Sequence, residues 1–213
     1  MALKQTVKEE VIGKLEEYEG RYEHLYLDTK NKVTVGVGHL LASEISMVFV
    51  TMYKVANNFP AGLATLEDKK TEYRNIAKQK KNYKAAWYKK FTTLAMKEGD
   101  IDSQRDKHMD PFYLELTSIY KKTNGYPEDF DNFPEKVQIA LFDMIFNLGK
   151  TKLNNTFPSF NAAIKTSDWK KAAVQSNRPD VSVSRNTYVK DLFNAAELAM
   201  PKKVETAKPS VKP

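Results

Sequence analysis

Cysteine is absent from all 213 residues, which excludes disulfide staples, a thiolate nucleophile and thiolate metal ligands. Histidine is scarce. The three copies, at 24, 39 and 108, show no metal-ligand spacing and no HExxH pair, so zinc chemistry is disfavoured and no metal or cofactor is expected. Asp100, Asp102 and Asp106 begin like a calcium loop, but Arg105 would occupy position six and Pro111 position twelve. Gly36-Val37-Gly38 is not followed by the Gly-Lys-Ser/Thr that a phosphate loop needs. Long apolar runs are missing too: the best, Ile45 to Val50, is interrupted by Ser46 and is too short to cross a bilayer. The N-terminal MALKQTVKEEVIGKLEEY carries acids early and no apolar core, so no signal peptide is expected. The chain is thus expected to be made in the cytoplasm, and other machinery must carry it to any target beyond.

What is present is an ordinary globular composition, 41% hydrophobic and 29% charged, with a net charge of +7. That excess favours a polyanionic partner, whether nucleic acid, an anionic membrane or a bacterial wall. Residues 66–90 are rich in lysine, with Tyr73, Tyr83, Trp87 and Tyr88 interleaved, and read as a solvated helix whose aromatics pack inward. Trp87 and Trp169 read as core. The lysines lie scattered, with no recognisable nucleic-acid motif, so neither nucleic-acid binding nor stable membrane association is expected, and the chain is expected to be a monomer.

Residues 6–19 form an amphipathic pattern with Val7, Val11, Ile12, Leu15 and Tyr18 as its stripe, a Thr6/Glu9 capping box and Gly20 as its stop. A β-hairpin follows over Leu25–Val37, turning through 28–32. His39 to Leu41 lead out of it into helix. Residues 44–97 read as mostly helical with a break at 57–62, 99–110 as a polar loop, and 111–122 as a helix. The strongest helix runs from Pro134 to Leu148, apolar nearly all round and therefore central, with Gly149 ending it. Shorter helices are expected at 157–165, 168–175 and 184–199, and 201–213 reads as a disordered tail.

The most informative stretch is Glu19 to Leu41. It opens with an acid at the negative end of a helix, where the macrodipole disfavours the charged carboxylate, a bias that suits a general acid. A second acid, Asp28, sits at the hairpin rim on the parity of His24 and Tyr26. In the strand beyond, Val33, Val35 and Val37 alternate with Thr34, Gly36 and Gly38, leaving a hydroxyl beside what reads as open floor. Two acids and a hydroxyl near such a floor point to carbohydrate chemistry. Taken singly each is bland: Glu19 a solvated helix end, Asp28 a turn residue, Thr34 a strand former, and His39 a structural histidine bonded to a nearby carboxylate.

Taken together, Glu19-Gly20, Tyr26-Leu27-Asp28-Thr29 and Thr34-Val35-Gly36-Val37-Gly38-His39-Leu40-Leu41 resemble the active-site segment of T-even phage-type lysozymes. The spacing of nine residues from Glu19 to Asp28 and six more to Thr34 matches that family's catalytic triplet without a gap. Ala140 to Gly149 resembles its central buried helix, and Arg185, eight residues before Phe193, resembles the arginine that pairs with the catalytic glutamate. The match covers about 12–41 and 133–198; residues 42–132 match nothing in the family.

The resemblance implies an α+β, mainly α, lysozyme-like fold: one catalytic domain over 1–200, with a small β-hairpin lobe, an enlarged helical middle at 42–132 and a helical lobe at 133–200 around a buried central helix. It implies a muramidase that cuts the β-1,4 bond after N-acetylmuramic acid in peptidoglycan. Glu19 would be the general acid, with Asp28 and Thr34 holding a water on the opposite face of the sugar. Inversion by that route requires carboxyl groups about 6.5–9.5 Å apart. Gly36, Gly38, His39 and Arg185 would support the site, with Asp143 and Asn147 facing the cleft floor. Peptidoglycan is the implied partner, with an immunity protein as a candidate second one. Alternatives are a wall-binding module that has lost catalysis and a lytic transglycosylase, which needs the acid but not the water-holding pair. The setting would be a phage endolysin or an antibacterial effector or bacteriocin domain acting on the periplasmic wall.

Overall fold

A computed structural model describes residues 3–57 and 59–201. The expected tail lies, from residue 202 onward, outside the described residues. The architecture is α+β and mainly helical. Two compact units divide between Glu115 and Leu116. No helix among the described residues is long and apolar enough to cross a membrane.

The first unit opens with α1 (Gln5–Glu19), which buries Val7, Val11 and Leu15, a spacing of one residue per turn. The expected capping box does not form: α1 begins one residue earlier, capped at Lys4 without a side-chain bond. Gly20, at φ +74°, ends the helix as expected. The chain then enters an antiparallel sheet of β1 (Tyr22–Leu27), β2 (Val33–Gly36) and β3 (His39–Leu40). Tyr26 faces Thr34 and Val35 faces His39 across it. The hairpin is as expected. Its continuation is not, because His39 and Leu40 pair back onto β2 before a 3-10 turn at Glu44–Phe49.

Residues 44–97 are not mostly helical. Among the described residues they hold a second antiparallel sheet, β4 (Tyr53–Ala56), β5 (Phe59–Leu63) and β6 (Leu94–Ala95), and one α-helix, α2 (Leu66–Ala77). Two buried charges on α2 secure it. Glu72 accepts hydrogen bonds from the backbone N–H groups of Thr93 and Leu94 at 2.6 and 3.1 Å, and Lys69 donates to the Val50 carbonyl at 2.7 Å.

The expected polar loop at 99–110 is instead the first half of α3 (Glu98–Ile119), with Pro111 inside it. The proline removes one helical donor. Burial of Ile101 and Met109 offsets that loss, as do ion pairs from Arg105 to Glu16 at 2.7 Å and Lys8 to Asp106 at 2.9 Å.

The second unit is built on α4 (Glu135–Thr156), which leaves helical geometry at Gly149, φ +69°. Val137, Ala140, Leu141, Met144 and Ile145 are fully buried, as the all-round apolar pattern requires. Helices α5 (Pro158–Lys165), α6 (Trp169–Gln175) and α7 (Val183–Leu198) fall close to their expected places. Trp169 is core, its ring against Phe193 and Phe133.

Candidate active site

Glu19 is the last residue of α1, and its side chain lies over Gly38. A Cβ at Gly38 would come within 3.1 Å of Glu19 Cγ and 3.2 Å of its Oε2, and φ there is +63°. Gly36, φ +64°, is covered in the same way by Gln104 of α3, whose Oε1 would lie 2.7 Å from an added Cβ. This corrects the expected open floor: the strand ends at Gly36, and both glycines admit a neighbouring side chain rather than leave empty surface.

Tyr26, two residues before Asp28, is buried in β1. Its buried phenol is pushed above its ordinary value, first by burial and then by the charges of Glu19, Tyr22 and Asp28, while a hydrogen bond from the Gly38 backbone pulls the other way. Thr34 is the cross-strand partner of Tyr26, so the two share a sheet face. Asp28 and Thr34 flank the turn that joins β1 to β2, and Glu19 lies over Gly38 in the turn that joins β2 to β3. Tyr26 was missed as a site residue because an aromatic in a strand reads as packing.

Asp28 Oδ1 accepts hydrogen bonds from the backbone N–H groups of Lys30 and Lys32, both at 2.8 Å, which fixes the carboxylate in an Asx turn. No hydrogen bond occupies Oδ2 among the described residues. The Thr34 hydroxyl donates to the Lys32 carbonyl at 3.1 Å, so toward any further group it can only accept. An acid at a helix end, a carboxylate with one free oxygen and a hydroxyl acceptor can give a proton on one side and position a water on the other.

His39 is not bonded to a carboxylate. Its ring meets His108 edge-on, centroids 5.3 Å apart, and Nδ1 is buried without a partner. Burial, then the neighbouring His108, holds its pKa at about 4, while His108 itself is lowered by burial and pulled back up by Glu19. His24, bonded to the Ala85 carbonyl at 3.1 Å, is also lowered by burial. The folded chain thus refuses protons that the unfolded chain takes up below pH 6.5, and stability from these rings declines as pH falls from there toward 4. Thermal unfolding should show Tm falling between pH 7 and pH 5, with a shallower fall in His39→Gln. A flat wild-type profile contradicts this.

In the second unit Asp143 does not face an open floor. It is 5% exposed and enclosed by two arginines, Arg178 Nη1 at 2.6 Å from Oδ1 and Arg185 Nε at 2.8 Å from Oδ2. Because α4 is buried without a break from Val137 to Ile145, the Asp143 carboxylate needs cationic partners there. Asn147 donates to the Asp143 carbonyl one turn back, at 3.2 Å, and is half-buried. Arg178 was missed. Its only signal was an acid inside an otherwise apolar helix, which demands a cation from elsewhere in the chain.

No protein-family model matches the chain, and no curated protein does.

Proposed function

We propose that the chain is a muramidase of the T-even phage lysozyme type, hydrolysing the β-1,4 bond after N-acetylmuramic acid in peptidoglycan with inversion. The observation that carries this reading is Glu19 seated over Gly38 at the end of α1, together with Asp28 fixed at the β1–β2 turn with Oδ2 unoccupied among the described residues and Thr34 just past that turn with a hydroxyl that can accept. Glu19 gives its proton to the glycosidic oxygen as the bond to the anomeric carbon breaks. Asp28 Oδ2 takes a proton from a water whose second proton is held by Thr34 Oγ1, and the water oxygen bonds to the anomeric carbon from the opposite face. Proton exchange with solvent then restores both acids. The phenol of Tyr26 stays neutral throughout and helps fix the glycine turn under Glu19.

The wall is reached after delivery by a pore or secretion system, and the enzyme works there as a monomer. Mass spectra of digested, purified sacculi test the chemistry: new N-acetylmuramic acid reducing ends are expected. Anhydro-sugar ends would assign a transglycosylase instead, and no released fragment would leave a wall-binding module.

A further inference from the structure

The excess positive charge of this chain sits in one place. Residues 78–91, KQKKNYKAAWYKKF, hold six lysines and no acid. The rest of the chain carries 28 basic against 27 acidic residues, a net of +1. The segment is not the solvated helix its composition implied, because α2 ends at Ala77 and a loop leads into a 3-10 turn at Ala85–Phe91. That loop is held in place. Buried Tyr88 donates its hydroxyl to the Lys80 carbonyl at 2.9 Å, His24 binds the Ala85 carbonyl, and Asn75 donates to the Phe91 carbonyl at 2.8 Å.

Several lysines elsewhere in this unit are paired, Lys8 with Asp106, Lys14 with Glu17 and Lys54 with Asp68 at 3.0 Å. Lys78, Lys80, Lys81 and Lys84 are exposed and have no acidic partner among the described residues. Beside them Tyr83 stacks on Trp87, centroids 4.0 Å apart and planes 14° from parallel, while Lys90 lies 4.2 Å from the Trp87 ring centre. Tyr83 is 45% exposed, so an aromatic ring is presented among unpaired cations.

We propose that residues 78–91 form a docking surface for a phosphate-bearing polysaccharide, its phosphates held by Lys78, Lys80, Lys81 and Lys84 and one sugar face laid on Tyr83. Fixed lysines of one sign repel one another and raise the local concentration of polyanions. Such a surface fits a ligand that supplies the missing counter-charge. Phosphate is met here by point charges, since none of the six is an arginine able to read a planar edge. A single exposed ring suits one sugar face. Single-stranded nucleic acid calls for successive platforms along a track, and here Tyr88 is buried while Trp87 is covered by Tyr83 and Lys90.

The surface does not involve Glu19, so binding and hydrolysis fail or succeed separately. The test is binding of the full chain to phosphomannan by biolayer interferometry, with neutral mannan, oligo(dT) and phosphatidylglycerol vesicles as competing probes, none of them a muramidase substrate. Phosphomannan should bind and mannan should not. Joint Lys78→Gln, Lys80→Gln, Lys81→Gln and Lys84→Gln should weaken binding about 100-fold and flatten its log–log salt slope by about 3. Tyr83→Ala should weaken it about 5-fold. The substituted lysines are exposed, and an unchanged melting curve confirms that the fold survives. Equal binding by the quadruple variant, equal binding of mannan, or tighter binding of oligo(dT) or vesicles overturns the proposal.

Discussion

Glu19→Gln is expected to lower the rate at which Gram-negative sacculi lose turbidity by about a thousandfold, the scale of a positioned general acid. The amide has nearly the size of the carboxyl, so it can keep the place over Gly38, where there is little room to spare. What it lacks is the proton for the leaving oxygen. Asp28→Asn separates the hydrolase from the transglycosylase. The Asn carbonyl can still accept the Lys30 and Lys32 N–H groups that form the turn, but an amide cannot take a proton from water. Loss of activity in both variants fits hydrolysis, whereas loss in Glu19→Gln alone fits direct attack by the sugar's own hydroxyl. Activity of Glu19→Gln within tenfold of wild type would remove Glu19 from the reaction.

The segments that could be read in advance were those in which local pattern and burial agree. Helix α4 was legible because Val137, Ala140, Leu141, Met144 and Ile145 repeat at helical spacing between Pro134 and Gly149, and all five are buried. The first hairpin was legible from its alternation, and the acid–acid–hydroxyl spacing from linear sequence alone.

The second sheet was hidden for the opposite reason. Strands β4 and β5 bury almost nothing, so no two-residue period exists, while charges reaching in from α2 hold the chain at Val50, just before β4, and at Thr93 and Leu94, at the start of β6. Helix α3 was hidden because Pro111 and Gly99 read as boundaries, while the ion pairs that secure it come from α1 some ninety residues away. Tyr26, Arg178 and the His39–His108 contact are likewise products of tertiary placement, which no single stretch encodes.

Asp143→Ala should be the most damaging single change to stability in the second unit, about 3–5 kcal/mol, because it removes a buried carboxylate that two buried guanidiniums share. The side chains of Arg178 and Arg185 are only 1% and 8% exposed, so water cannot replace the lost carboxylate. Arg178 also donates to the Asp143 and Arg185 carbonyls, which ties α4 to the start of α7. At roughly 2–4 °C per kcal/mol for a chain of this size, Tm should fall by about 10 °C. An exposed pair sets the contrast: Lys122 and Glu128 are 57% and 44% exposed at 2.9 Å, and Glu128→Ala should move Tm by about 2 °C or less. Asp143→Asn should fall between the two, since it keeps an acceptor for one arginine but not the charge for both. Differential scanning calorimetry at pH 7 orders the three variants. An Asp143→Ala melt no lower than that of Glu128→Ala would mean that the arginines do not depend on this carboxylate.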